Sequence, residues 1–416
     1  MTDKRRSAAG EGRPRGNSRR PVSKKRRKSY RQKVVAIQIA AITLAIFCLL
    51  IVAAVILTKV FVTDRQGTSQ TSGEVLEEQE ETGQDGETGD GEASDTQDQD
   101  SQTSGETDTQ SASEPVSLTI SAVGDCTIGT DEQFDKSRNF DAFYIVKNDP
   151  GYFFQNVKSI LEADDLTIIN MEGTLTESTS RQEKTFAFKG DPSYTEILTQ
   201  GSVEAANLAN NHSRDYGEES YTDTISYLES AGISTFGYDR TAVVDVKGIK
   251  VGLVGIYELA DGMGCQTQLV ENINTVKSQG AQLVIVSFHW GQEKETYPDD
   301  IQKSLAHIAV DNGADLVLGH HPHVLQGIEE YNGKNIVYSL GNFCFGGNSN
   351  PSDKDTMIFQ QTFTFENGTL VADNATNIIP CSLSSVSEYN DYQPTPLEGS
   401  EKERVAQKIQ ELSSGL

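Results

Sequence analysis

Histidine is rare in this sequence of 416 residues, and half of the histidines lie in one short stretch. The chain has six histidines, and His320, His321 and His323 all lie within GHHPHVLQG (319–327). Neutral imidazole is a common ligand of Mn, Fe and Zn. Two histidines on one side of a proline and a third on the other rarely serve packing alone. The stretch therefore predicts a place where several nitrogen donors are needed together.

Other residues that suit metal ligation follow apolar runs elsewhere in the chain. They are Asp125 after SLTISAV (117–123), Glu172 after LTIIN (166–170), Asn211 and His212 in NNHSRDYG (210–217), and His289 after QLVIVSF (282–288). Taken singly, each has a structural alternative, since Asp125 could cap a turn, Asn211 could supply turn geometry and His289 could be a packed core residue. Their shared position after apolar runs favours one common site.

The elements around these residues predict an α/β domain that begins near residue 115. Strands are predicted at 117–123, 166–170, 282–288, 314–319 and 335–341, with hairpins in 241–257 and 357–374. Helices are predicted within 153–165, over 218–231 and 299–312, and at about 400–413. Because ligands bind at the carboxyl ends of strands in open α/β sheets, the polar clusters should meet on one rim.

The types of ligand atom on that rim limit which metal ion could bind there. Carboxylate, amide oxygen and imidazole together favour divalent Mn, Fe or Zn. Calcium would need nearly all oxygen ligands, and a structural zinc site would need thiolates. Four cysteines follow residue 115, but their spacing matches no zinc-binding pattern, so we expect them to be structural or free.

The amino-terminal part of the chain predicts a membrane anchor. Residues 1–33 carry 14 basic and 2 acidic side chains and are followed by 34–57, an apolar segment without charge. That segment is long enough to span a bilayer, and the positive-inside rule places 1–33 in the cytoplasm as a basic tail. Residues 58–114 predict a disordered acidic linker, with the domain outside the cell. The acidic body of the protein argues against nucleic acid as a partner.

Six motifs together resemble those of the CapA family, the poly-γ-glutamate capsule synthesis proteins within the calcineurin-like metallophosphoesterases. They are GD (124–125), NMEG (170–173), ANNHSRDYG (209–217), HWG (289–291), GHHPHVLQG (319–327) and YSLGNF (338–343). The resemblance covers about residues 116–345. It implies a four-layer α-β-β-α sandwich over 115–381, followed by a carboxyl-terminal extension with a helix over 382–416.

The resemblance also implies roles for individual residues. Two divalent ions would be held by Asp125, Glu172, Asn211, His289, His321 and His323. His212 would be catalytic, contacting phosphate or protonating a leaving group, and His320, Asn210 and Asn342 would contact substrate. Two positions depart from the phosphoesterase pattern, since Thr127 stands where that pattern has a histidine and Glu172 stands where it usually has an aspartate.

The implied function is capsular polymer synthesis or export, of the poly-γ-glutamate type, by a protein anchored in the cell membrane. The protein would carry a metal-dependent phosphoesterase-like site. The alternative is a non-catalytic subunit that binds metal and an acidic extracellular polymer beside the membrane subunits of a capsule synthase. A third, weaker hypothesis is hydrolysis of a cell-wall or teichoic polymer.

Overall fold

The computed structural model describes residues 114–416. The predicted basic tail, membrane segment 34–57 and nearly all of the linker 58–114 lie outside these residues. Within the described range, none of the helices has the length and hydropathy of a segment that spans a bilayer.

The described range contains seventeen strands and seven α-helices. The strands are β1 (Val116–Thr127), β2 (Thr130–Asp131), β3 (Leu166–Met171), β4 (Thr174–Leu175), β5 (Phe188–Gly190), β6 (Ala205–Asn207), β7 (Ser234–Phe236), β8 (Ala242–Val246), β9 (Ile249–Tyr257), β10 (Leu283–His289), β11 (Leu316–His320), β12 (Ile328–Tyr331), β13 (Lys334–Val337), β14 (Asn342–Phe345), β15 (Asp355–Glu366), β16 (Thr369–Ser382) and β17 (Thr395–Pro396). The α-helices are α1 (Phe140–Lys147), α2 (Lys158–Leu161), α3 (Thr195–Gln200), α4 (Glu218–Ser230), α5 (Gln266–Ser278), α6 (Asp300–Asp311) and α7 (Gly399–Ser413). Short 3₁₀ helices occur at Pro150–Phe154, Pro192–Tyr194 and Gly262–Cys265.

Most strands belong to two mixed sheets. The first sheet has the order β17-β16-β15-β1-β3-β6-β7, with β14 also paired to β1, and the second has the order β12-β13-β11-β10-β9-β8. The central pairs are parallel, namely β1 with β3, β3 with β6, and β10 with both β9 and β11. A small third sheet, β2-β5-β4, lies apart from both.

Three clusters of buried side chains show how the layers stack. The inward residues of the two sheets, such as Ile120 and Ile285, form one cluster between them. Ile169 of the first sheet packs with Leu228 of α4 on its outer side, and Val286 of the second sheet packs with Leu269 of α5 on the other outer side. The layers therefore follow the order helix, sheet, sheet, helix, and the predicted α/β class is confirmed.

Local sequence signals explain why several elements begin and end where predicted. A capping box at α6 has the Asp299 side chain accepting from the Gln302 backbone N–H, while the Gln302 side chain bonds the Asp299 backbone. The hairpin from β15 to β16 turns at Asn367 and Gly368, which have φ of 51° and 75° and suit a two-residue turn.

Two predicted elements were wrong in extent. The helix predicted within 153–165 is divided into the 3₁₀ turn Pro150–Phe154 and the single turn of α2. Asn156, between them, donates from its side chain to Gln393 and Thr395. The strand predicted at 335–341 ends at Val337. The chain then crosses to the first sheet, where Asn342 pairs beside Asp125.

The carboxyl-terminal helix α7 is part of the main core. Val405, Ile409 and Leu412 are buried in the cluster between the sheets. On its other side, Arg404 donates to both carboxylate oxygens of Asp355, at 2.9 and 2.7 Å. The predicted helix at 400–413 is confirmed.

The four cysteines of the described range are free and buried: Cys126, Cys265, Cys344 and Cys381. Burial raises the pKa of Cys126 and of Cys381 to about 12. These thiols are therefore protonated at neutral pH and contribute to packing.

Candidate metal centre

The candidate centre lies where the space between the sheets changes from apolar to polar. On the inner face of β3, Ile168 is followed by Asn170 and then by Glu172 just after the strand. On β11, the inward Leu318 is followed by His320. The strand pattern that builds the core thus continues into the polar residues at the carboxyl ends of the strands.

The backbone at the end of β1 lies very close to the backbone at Gly341, just before β14. The backbone N–H of Asp125 donates to the carbonyl oxygen of Gly341 at 2.9 Å. A Cβ atom on Gly124 would lie 2.2 Å from that same oxygen. Glycine is therefore required at 124, which accounts for the Gly-Asp pair at the end of β1.

One group of side chains that could hold a divalent ion consists of Asp125, Glu172 and His323, whose ligand atoms lie within 4.8 Å of one another. His323 places Nδ1 3.3 Å from Asp125 Oδ2 and Nε2 3.6 Å from Glu172 Oε1. Burial raises the pKa of Asp125, but the hydrogen bond and charge of His323 outweigh it and hold that pKa well below its usual range. Asp125 is therefore a carboxylate and a ready ligand.

A second group consists of Glu172, His289 and His321. His289 Nε2 lies 3.7 Å from Glu172 Oε1 and 2.8 Å from Asn211 Oδ1. The rings of His289 and His321 have centroids 4.7 Å apart. Burial lowers the pKa of both imidazoles, that of His321 to about 4, so both are neutral and can ligate a metal directly. His323 differs, because its burial is outweighed by Glu172 and Asp125, which raise its pKa to about 10, so it would release a proton when it ligates a metal.

Glu172 belongs to both groups and carries the clearest sign of a bound cation. Both of its carboxylate oxygens are buried, and neither has a hydrogen-bond partner within residues 114–416. Burial raises the pKa of this carboxyl to about 8. Because a buried ionised carboxylate costs several kcal/mol unless it is paired or ligates a metal, the site fits a divalent cation.

The turn that carries His321 and His323 has an unusual backbone. Both residues have positive φ, 97° and 57°, on either side of Pro322. Such a conformation costs about 1–3 kcal/mol in a residue other than glycine and is found mainly where function requires it. The turn is held in place by the His321 N–H, which donates to Asp125 Oδ2 at 3.1 Å.

His212 lies at the edge of the two groups and is held by its own partners. Its Nε2 is 3.9 Å from Glu172 Oε1, and its Nδ1 is 2.6 Å from Asp215 Oδ2. Lys184 donates to the other oxygen of Asp215 at 2.6 Å. This arrangement fixes the imidazole with one nitrogen directed at the centre.

Three residues expected to contact substrate have hydrogen-bond partners within the domain. His320 places Nδ1 3.3 Å from the Phe288 carbonyl and Nε2 3.2 Å from the Val123 carbonyl, so its ring links the two sheets. Asn342 Oδ1 lies 2.9 Å from His323 Nδ1 and orients that ring.

Asn210 is the third of these residues. Its side chain donates to the Met171 carbonyl at 2.9 Å and accepts from the His212 N–H at 3.0 Å. It joins the loop after β6 to the end of β3, which sets the position of His212.

Residues that the sequence reasoning did not single out complete the support of the centre. Asn170 donates to Asp125 Oδ1 at 2.7 Å and lies 3.2 Å from His289 Nδ1, and Asn207 donates to Asn170 Oδ1 at 2.9 Å. Asn207 is the last residue of β6 and Asn170 the last but one of β3, and this position near the end of an apolar run was a signal available in the sequence. Lys184 had no such signal, because it lies in a loop without periodic pattern.

Comparison with known proteins identifies relatives of this chain. The model of the family described as "Bacterial capsule synthesis protein PGA_cap" matches residues 119–347. That range contains all six motifs and every residue of the two groups.

Individual relatives agree with that match. The chain is 32% identical over 215 residues to the "PGA biosynthesis protein CapA" of Bacillus subtilis (strain 168), covering 46% of this chain and 56% of the relative. It is 29% identical over 262 residues to the "Capsule biosynthesis protein CapA" of Bacillus anthracis, covering 57% and 62%. The chain thus spans less than two thirds of either relative. A solved structure of a hypothetical protein from Thermus thermophilus is similar with a TM-score of 0.39 at 16% identity, covering 63% of this chain and 99% of that chain.

Proposed function

This chain belongs to the bacterial capsule synthesis protein family, and from that premise we propose that it is an accessory protein in the synthesis or export of a capsular polymer of the poly-γ-glutamate type. The names of its relatives support the polymer class, including a "Probable polyglutamine synthesis accessory protein" of Mycobacterium tuberculosis that is 29% identical over 213 residues, covering 43% of this chain and 55% of the relative. The proposed partners are an acidic extracellular polymer and the membrane subunits of a capsule synthase.

The proposed location is the cell membrane, with residues 34–57 as a single anchor and the described domain outside the cell. The uncharged apolar segment directly after a strongly basic tail supports this topology. Protease added to intact cells should digest the domain and leave the tail protected. Digestion only after lysis would contradict the proposed orientation.

At the centre of the domain we place two divalent ions that share Glu172. Asp125 and His323 would complete one site, and His289, His321 and Asn211 would complete the other. The observation that carries this proposal is the buried Glu172 carboxylate, which lacks a hydrogen-bond partner anywhere in 114–416. When bound, such ions would supply Lewis acidity toward an oxygen of a phosphoester substrate.

The chain's own residues suit a hydrolytic reaction at that centre. His212 can hold a proton at Nε2, which is the nitrogen directed toward Glu172, while Asp215 holds Nδ1. Phe188 packs against the His212 ring, with centroids 4.4 Å apart, and His212 is buried. His212 is therefore the proposed proton donor to a leaving oxygen.

Metal binding is tested by elemental analysis and thermal unfolding of the purified full-length chain. We expect bound Mn, Fe or Zn, and a melting temperature that falls when a chelator is added. Glu172→Gln should lose both the ions and the chelator effect, while Glu177→Gln, a change to a surface glutamate, should retain them. Wild-type protein without divalent ions after incubation with Mn²⁺ would refute the proposal.

Hydrolysis is tested with a generic phosphodiester in the presence of Mn²⁺. We expect His212→Ala to reduce the rate about 100-fold or more while retaining the ions. Equal rates for wild type and His212→Ala would exclude His212 as the proton donor.

One observation counts against a phosphate clamp and so favours the alternative of a non-catalytic subunit. Arg214, the arginine in the NNHSRDYG motif, is bound to Glu218 at 2.6 Å and stacks on Tyr221, so its charge is already used within the protein. Loss of surface polymer on deletion of the gene that is restored in full by the His212→Ala protein would favour this alternative.

A further inference from the structure

We infer that Thr127 is an additional ligand of the metal centre on the Asp125 side, which makes that site rich in oxygen and the His289 side rich in nitrogen. This inference rests on the proposed metal centre and assigns a residue that neither the resemblance nor the comparisons place there.

The alternation of side chains along β1 shows which way Thr127 points. Cys126 and Ile128 belong to the cluster on the outer face of the first sheet. Residues next to them in an extended strand point to the opposite face. Asp125 and Thr127 therefore share the inner side, where the metal centre lies.

The register between β1 and β3 places Thr127 beside Glu172. Asp125 is paired with Asn170, and Cys126 is paired with Met171. The Glu172 N–H continues this pairing by donating to the Cys126 carbonyl at 2.9 Å. Thr127 and Glu172 are thus the next neighbours across the two parallel strands, on the same face as Asp125.

The hydroxyl of Thr127 is buried without a hydrogen-bond partner among the residues of the described domain. Two other buried threonines have partners, since Thr174 donates to the Phe188 carbonyl at 2.9 Å and Thr356 donates to the Leu340 carbonyl at 2.8 Å. Thr130, on β2, is buried without one in the described range, so it is the position of Thr127 beside Glu172 that points to ligation. A buried hydroxyl without a partner destabilises the folded protein, because it has lost its hydrogen bonds to water. Ligation of a cation by Oγ1 removes this cost together with that of Glu172.

The two proposed sites differ in their ligand atoms, and this difference determines which ion each site would prefer. The Asp125 side has oxygens from Asp125, Glu172 and Thr127 and one nitrogen from His323. The other side has nitrogens from His289 and His321 and oxygens from Glu172 and Asn211. Oxygen-rich sites favour harder ions such as Mg²⁺ and Mn²⁺, and imidazole-rich sites favour Zn²⁺ and Fe²⁺. A hydroxyl of Ser or Thr is an established ligand of Mg²⁺ in proteins.

The test compares metal binding by full-length wild type, Thr127→Val and Thr127→Ser, using calorimetric titration with Mn²⁺ and elemental analysis. Valine replaces the hydroxyl with a methyl group of similar size, and serine retains the hydroxyl. We expect wild type and Thr127→Ser to bind two ions and Thr127→Val to bind one of them about 10-fold more weakly or lose it.

Ser287→Ala is the matched control. Ser287 is also buried on the inner face, two residues before His289, and its hydroxyl also lacks a partner within the described domain. We expect its removal to leave both ions bound with unchanged affinity.

The possible failures are distinguishable. Wild type that binds no ions refutes the metal centre itself, and with it this inference. Wild type that binds ions with the same stoichiometry and affinities as Thr127→Val overturns the role of Thr127 alone, as does an equal loss of affinity in Ser287→Ala. A Thr127→Val protein with an unchanged far-ultraviolet circular dichroism spectrum and a weakened Mn²⁺ site supports the inference.

Discussion

Two residues of the centre are in states that destabilise the folded protein, one through backbone strain and the other through burial of a polar group. His321 adopts a φ of 97°, and Glu172 is buried without hydrogen bonds from the described domain. Both costs are recovered if these groups ligate cations. The sequence could indicate these residues because their types are rare and lie after apolar runs. It could not show that His320 turns away to the backbone, since three neighbouring histidines look alike without the turn geometry.

The backbone at His321 provides the first prediction. Asparagine tolerates positive φ better than histidine does. His321→Asn should therefore leave the metal-free protein as stable as wild type or raise its melting temperature, while it reduces the stabilisation by added Zn²⁺. Thermal unfolding with and without the ion measures both effects. A variant that keeps the full Zn²⁺ effect would remove His321 from the ligand set.

Asp215 provides a prediction about catalysis. It holds His212 Nδ1 at 2.6 Å and is itself bound by Lys184. Asp215→Asn should lower kcat for phosphodiester hydrolysis about 100-fold with little change in KM, because the orientation of His212 is lost while metal binding is retained. Glu218→Gln, at the exposed partner of Arg214, serves as the control and should behave as wild type. A change confined to KM would contradict a positioning role.

Among the elements, the strands were predicted more accurately than the helices that cover the first sheet. Uninterrupted apolar runs such as 166–170 and 282–288 are typical of buried parallel strands, and both were located within one residue. α1 (Phe140–Lys147) and α3 (Thr195–Gln200) were missed because each is short and depends on contacts with the sheet. The candidate site lies at the ends of the strands, so the sequence could indicate residues that the structure brings together even where the covering helices were not predicted.

The docking of α7 gives a prediction of pH dependence. Burial raises the pKa of Asp355, but hydrogen bonds from Arg404 and Lys408 outweigh it and lower the pKa below its ordinary value of 3.8. The ionised carboxylate therefore stabilises the folded protein above that value, and the contribution disappears as the pH falls through the lowered pKa.

Asp355→Asn should accordingly lower the melting temperature at pH 7, and the difference from wild type should shrink as the pH falls below about 4. Thermal unfolding between pH 3 and pH 8 measures this. Glu401→Gln, at an exposed partner of Arg404, should show a much smaller effect. A difference that grows toward acid pH would have the wrong sign for this ion pair.

Across the whole domain, the two sheets are joined by apolar packing along most of their length and by polar contacts at one end. His320 belongs to that polar end, with its ring between the carbonyls of Phe288 and Val123. His320→Leu should destabilise the domain by about 1–3 kcal/mol, because buried carbonyls lose a donor. Bound metal should be unchanged. Denaturant unfolding and elemental analysis together check this, and loss of the ions at unchanged stability would show that His320 is itself a metal ligand.

The four buried thiols have a practical consequence. Alkylating reagents attack thiolates, and burial keeps Cys126, Cys265, Cys344 and Cys381 both protonated and out of reach. The rate at which each cysteine is labelled therefore reports how often its part of the domain opens. Cys126 follows Asp125 directly, so ions bound at the centre should slow its labelling more than that of Cys265, which lies on the opposite outer face. The natural cysteines of the domain can therefore be used to measure local opening, without any engineered probe.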